Sequence, residues 1–231
     1  GLPVPDLMLL GILIGLFVAT HELLSHPLRA PLVARLGEKG FAVVYSLVAL
    51  ASFGAAVQLW RQIPKARLWD APASFYIPSL ALMLLAFILF VGSVTAPNPA
   101  MMPGVHGEPK GVQRITRHPM MWSFVIWAIV HMVMTADPRT IVLASGVATL
   151  ALIGTLMQDI KKKQQNPSYG AHMARTSHLP FFAILSGRQP MSALWPGLVA
   201  VLGGSLLWFL FLGWGHIYLI GVHAAGWSYF Q

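Results

Sequence analysis

Apolar residues in this chain run in blocks rather than alternating with polar ones, and the blocks approach the ~20 residues needed to cross a bilayer's hydrocarbon core. Six read as transmembrane helices: Val4 to Leu24, Phe41 to Trp60, Phe75 to Thr95, Pro119 to Thr135, Ile141 to Met157 and Trp195 to Ile220. The fourth and fifth are the shortest, and the tight link Ala136-Asp137-Pro138-Arg139 between them predicts an antiparallel hairpin. The first block lacks a basic n-region and a clear small-residue cleavage site, so it reads as a retained helix rather than a signal peptide. The predicted fold is all-α, a polytopic integral membrane bundle forming one domain over residues 1–231.

The polar segments orient this bundle, because Lys and Arg collect in cytoplasmic loops. Connections after the first, third and fifth blocks carry Arg29, Arg35, Lys39, Lys110, Arg114, Arg117, Lys161, Lys162, Lys163, Arg175 and Arg188, eleven of the fifteen basic residues. The opposite side carries Arg61, Lys65, Arg67 and Arg139, and the stretches beyond the outer blocks have no Lys or Arg. Both termini are expected on the non-cytoplasmic side, with the chain in a bacterial inner membrane. Residues 161–190 form the longest and most polar connection, a length that signals function or structure of its own, and are expected as a cytoplasmic loop at the interface.

Composition strengthens this picture: 56% of residues are hydrophobic and 10% charged, against about 25% charged in an ordinary soluble domain. The formal charge of +8 follows from loop topology rather than from a binding stripe, so lipid, not nucleic acid, is the expected partner. The absence of cysteine excludes disulfides, thiolate chemistry and ordinary cysteine-ligated iron-sulfur clusters.

With nine histidines and few carboxylates, imidazole is the side chain best placed to build a polar site. An ionisable residue within a span is a functional candidate, since burial in lipid is costly without a partner. His21, beside Glu22 near the inner end of the first block, and His131, well inside the fourth, both qualify. A helix-to-helix hydrogen bond would also account for either one alone. His118 stands at the cytoplasmic mouth of the fourth block, where Pro119 fits a first helical turn. Two neutral imidazoles from different spans would hold a porphyrin iron from both axial sides.

The remaining histidines carry weaker signals. His26, His106, His172 and His178 fall in predicted cytoplasmic segments, while His216 and His223 lie seven apart in an outer polar and aromatic belt with Trp214 and Trp227. His21-Glu22-Leu23-Leu24-Ser25-His26 approaches the H-E-x-x-H zinc signature. That motif needs histidines four apart on one helix face, and these are five apart.

Three ordered strings bring a family into view. They are His21-Glu22-Leu23-Leu24-Ser25-His26-Pro27-Leu28-Arg29 with Arg35-Leu36-Gly37-Glu38-Lys39-Gly40-Phe41, then Arg114-Ile115-Thr116-Arg117-His118-Pro119-Met120-Met121 running through Trp127 to His131, and Arg175-Thr176-Ser177-His178-Leu179-Pro180-Phe181 ending in Ser186-Gly187-Arg188-Gln189. In these the chain resembles the NnrU and 15-cis-ζ-carotene isomerase family. The isomerase resemblance implies haem b, whose redox state governs conversion of a cis double bond in a lipophilic polyene substrate, with His21 and His131 as axial ligands. Counted along the fourth block, His131 lies roughly 20 Å from His118 at about 1.5 Å per residue, while His21 sits near the inner face, so His118 is the alternative partner for His21.

The NnrU side of the resemblance implies instead a haem or redox accessory protein serving respiratory or denitrification partners in nitrogen-oxide metabolism. A third alternative, a membrane S-adenosylmethionine-dependent methyltransferase, rests on Arg117-His118-Pro119 with the later Tyr169-Gly170. Against it, Met121 stands where that group usually has tyrosine, and Lys161-Lys162-Lys163 runs where paired acidic residues are usual.

Overall fold

A computed structural model describes residues 1–100 and 107–213. Among them 77% is helix and there is no strand. Eight α-helices follow in order: α1 Val4–Ser25, α2 Arg29–Gln62, α3 Tyr76–Thr95, α4 Pro119–Thr135, α5 Pro138–Gln165, α6 Tyr169–Arg175, α7 Phe182–Leu185 and α8 Leu198–Leu210. Five segments are long and apolar enough to cross a membrane, Val4–Ser25, Arg29–Gln62, Ala73–Thr95, Pro138–Gln165 and Met191–Gly213, and the apolar α4 is shorter at 17 residues. The protein is a polytopic helical membrane protein.

Two boundaries differ from the hydrophobic pattern. α2 starts at Arg29 rather than Phe41, because the polar residues before the apolar block are themselves helical, interrupted only at Gly37 with φ 74°. That left-handed conformation favours glycine, so the helix kinks there instead of ending. α5 continues past Met157 to Gln165. Its added turns hold Lys162 and Lys163, cations that suit the negative end of the helix macrodipole. The expected 161–190 loop is therefore largely built structure, containing the end of α5, all of α6 and α7. α4 and α5 both open on proline, whose missing N–H costs nothing in a first turn. The sixth block is helical as α8, and its far end at Ile220 lies outside the described residues.

The chain packs as two compact units, residues 1–71 with 131–150, and residues 72–130 with 151–231. In the first, Leu10, Ile14, Ala56, Ile63 and Leu143 form a buried apolar cluster, backed by Phe53, Leu59 and Trp60. Arg139 closes one end of it. Its Nε donates to Asp137 at 2.7 Å, its Nη1 to the Trp60 carbonyl at 2.7 Å, and its guanidinium lies 4.0 Å over the Trp60 ring.

In the second unit α3 and α8 make close contact, and a small residue permits it. A Cβ added at Gly204 would stand 2.7 Å from the Ile88 Cα, so the backbones touch in the manner of small-residue helix interfaces in membranes. Because backbone cannot yield as a flexible side chain does, Gly204→Leu is expected to cost about 3 kcal/mol or more. The denaturant midpoint in detergent should fall accordingly; an unchanged midpoint would contradict this packing.

Candidate functional site

The second and third sequence strings meet in the second unit. The Arg117 N–H donates to the Ser177 carbonyl at 2.9 Å, the Phe181 N–H to the Ile115 carbonyl at 2.8 Å, and the Thr116 hydroxyl to the His178 carbonyl at 2.6 Å. Arg114 Nε donates to Gln189 Oε1 at 2.9 Å, and Asn98 Nδ2 holds the Arg117 carbonyl at 3.1 Å. Two of these bonds are backbone to backbone, which single side-chain changes do not remove, and together the set pins the segment before α4 against the segment after α6.

Within this frame lies a buried ionic network centred on Asp159 of α5. Arg117 reaches it through Nε at 3.1 Å and Nη2 at 2.8 Å, His118 through Nε2 at 2.8 Å, and the Tyr169 hydroxyl donates at 2.8 Å. All four are buried, with 8%, 2%, 7% and 2% of Arg117, His118, Asp159 and Tyr169 exposed. A carboxylate accepts only, so His118 must carry its proton on Nε2. Its Nδ1 is buried and has no hydrogen-bond partner.

Two further imidazoles border the network. The His178 ring lies 5.2 Å from that of His118 and meets Trp122 edge-on at 5.8 Å. Its Nε2 is 2.6 Å from the Thr155 hydroxyl, whose proton goes to the Leu152 carbonyl at 2.7 Å, so Nε2–H is the donor. His172 packs against Tyr169 at 5.6 Å, and both of its ring nitrogens are buried without a partner. Burial, with the Arg117 charge behind it, holds the His172 pKa down to about 4, and burial likewise lowers that of His178. Burial first, and then the Asp159 charge, raises the Tyr169 phenol, which stays a protonated donor.

The sequence candidates fall in different places. His118 belongs to this network, whereas His21 and His131 both belong to the first unit. His21 bonds through Nε2 to the Tyr45 hydroxyl on α2, which also lies 3.1 Å from Ser25 Oγ, and its Nδ1 is buried without a partner. His131 is half-buried in the last third of α4, where its carbonyl accepts the Thr135 hydroxyl. His26 pairs with Glu22 at 3.1 Å within α1 and its cap. His106, His216 and His223 lie outside the described residues.

Sequence reading missed Asp159, Tyr45 and Thr155, and ranked His172 and His178 low. Asp159 had a visible signal: it continues an apolar helix two residues beyond Met157, so extending that block would have exposed a lone carboxylate in a span. No group of three or more His, Asp or Glu among the described residues is placed to hold a metal ion.

A family model described as NnrU protein matches residues 7–224. The chain is also similar to two curated proteins named 15-cis-zeta-carotene isomerase, chloroplastic. The Zea mays protein is 31% identical over 90 residues, 38% of this chain and 25% of the relative, and the Arabidopsis thaliana protein is 31% identical over 88 residues, 38% and 24%. The chain thus aligns with about a quarter of the length of these relatives. No solved structure matches it.

Removing Asp159 leaves the Arg117 cation buried and unpaired, so Asp159→Ala should destabilise by about 3–5 kcal/mol. Tyr169→Phe, which removes one donor of several, should cost about 1 kcal/mol. Denaturant midpoints in detergent rank the two; equal effects would show that the carboxylate does not organise the site. Acid should act through His172. Its folded-state pKa near 4 lies below the ordinary 6.5, so the unfolded chain binds more protons between those values. The stability present above pH 6.5 is therefore expected to fall as pH drops toward 4, and His172→Gln should flatten that slope in melting curves.

Proposed function

This chain belongs to the NnrU family, and we propose that it is a membrane-embedded isomerase that converts a cis double bond of a polyene to trans. The observation that carries this reading is the 31% identity, over 90 residues, to a 15-cis-zeta-carotene isomerase. A polyene dissolves in the bilayer, and a protein built from spans meets such a substrate without extracting it into water. Haem b would be the cofactor of this reading, held by His21 and His131, with His118 as the alternative to His131.

The donor chemistry fits that group. The chain has no thiolate to offer, and His21 and His118 each keep one buried ring nitrogen without a partner, the form in which an imidazole binds iron. When bound, haem supplies a reducible iron able to draw electron density from a double bond. The chain's own residues set the imidazoles. Tyr45 holds the His21 ring through Nε2, and Asp159 fixes the His118 tautomer with Nδ1 as the acceptor nitrogen, the outer-shell arrangement that orients ligating histidines.

Reduced-minus-oxidised absorption spectra and chromatographic turnover of 15-cis-ζ-carotene test this reading together. The protein supplied with haem should show a haem band and convert the substrate, while His21→Ala and His131→Ala should lose the band and fall to background turnover. No band and no conversion in the unaltered protein would sink it. A band without conversion would favour a redox accessory protein.

A further inference from the structure

A cavity of about 390 Å³ in the second unit joins two kinds of wall. One is cationic. Arg117, 8% exposed, bonds Asp159 through Nε and Nη2, and its Nη1 carries no hydrogen bond. Arg188 donates from Nε to Ser186 Oγ at 2.9 Å and from Nη1 to the Thr176 carbonyl at 2.7 Å, which leaves Nη2 free. His178 donates from Nε2 to Thr155, so its Nδ1 keeps a lone pair with no partner. The wall thus offers two cationic donors and one acceptor to whatever enters.

Its charge is also unbalanced. Asp159 answers Arg117, whereas Arg188, and Arg114 bonded to the adjoining Gln189, pair with no carboxylate among the described residues. The neutral oxygens that hold Arg188 orient its guanidinium without cancelling its charge.

The other wall is apolar, formed by Met173, Leu179 and Phe182, and the last two are 53% and 48% exposed. Leu185, beyond Phe182 on α7, is 81% exposed. The membrane-crossing segment Met191–Gly213 opens three residues after Arg188. That places Arg188 where a chain passes from hydrocarbon to headgroups, the level at which basic side chains meet anionic lipid. Exposed apolar surface beside it is the surface that acyl chains cover.

We infer that this cavity binds one anionic phospholipid, its phosphate between Arg117 and Arg188 and its acyl chains along Leu179, Phe182 and Leu185. Guanidinium groups present planar pairs of donors that match phosphate oxygens. The His178 lone pair calls for a hydroxyl donor, which the glycerol headgroup of phosphatidylglycerol carries and a choline headgroup lacks. A buried guanidinium donor left without an acceptor is costly, and a phosphate at Arg117 removes that cost. The inference is independent of the isomerase reading, since it needs neither a polyene nor haem.

The test is a titration of the purified protein in non-ionic detergent with phosphatidylglycerol, read by native mass spectrometry. One lipid per chain should be retained saturably, with phosphatidylcholine about tenfold weaker. Arg188→Gln, at an exposed position, should raise the midpoint about tenfold through loss of a charged donor. Arg188→Lys, which keeps the charge and loses the fork, should raise it about threefold. Lys163→Gln removes the same charge from the exposed end of α5 and should change the midpoint by less than about twofold. Millimolar inorganic phosphate should not displace the lipid.

No retained phosphatidylglycerol, or equal midpoints for the two lipids, would overturn the inference, because the headgroup would then go unread. Equal losses in Arg188→Gln and Lys163→Gln would overturn it by making diffuse surface charge sufficient. Displacement by inorganic phosphate would assign the cavity to a free oxyanion instead of a lipid.

Discussion

A carboxylate in an apolar helix must be surrounded by donors or it is expelled, and Asp159 organises the second unit because of that requirement. Three side chains meet it: Arg117 and His118 from the turn before α4, and Tyr169 from the start of α6. Each comes from a segment that would otherwise be a connection between spans. The price of the charge is high in a low-dielectric interior, and the geometry that offsets it leaves little freedom to Arg117 or His118. The backbone bonds between residues 115–117 and 177–181 follow from the same convergence. A charge that is difficult to bury thus specifies where two segments distant in sequence must lie.

The first unit obeys the same rule with smaller charges. Asp137 and Arg139 neutralise each other at the start of α5, and the spare guanidinium donors reach the carbonyls that α2 exposes at its end. Helix carbonyls in the last turn have no internal partner, so Arg139 satisfies them while it caps the apolar cluster. Tyr45 serves His21 in the same way, joining α1 and α2 through one polar contact among aliphatic ones. In each unit an ionisable side chain within a span, His21 in one and Asp159 in the other, is held by a side chain from another element, as a lipid solvent favours.

The apolar blocks made the helices legible in the sequence, since twenty apolar residues have few alternatives to a span. The ends of the helices were less legible. Residues 29–40 and 158–165 are polar, and hydropathy reads polar stretches as loops even when, as with Gln158, Lys161 and Gln164, they are good helix formers. Drawing the fifth block short at Met157 hid Asp159, and with it the reason that Arg117, His118 and Tyr169 belong together. His118 was identified by its place at a helix mouth, but its partner lies 41 residues away in sequence, a separation no local pattern encodes. His21 stood out as an ionisable residue within a span, yet nothing near it in sequence points to Tyr45.

Buried polar side chains in the second unit differ in how far the protein itself partners them. His172 keeps two buried nitrogens without partners, a state that favours a ligand able to bond them or a structural water. Arg117, Ser177, His178 and Arg188, by contrast, each hold at least one partner within the protein.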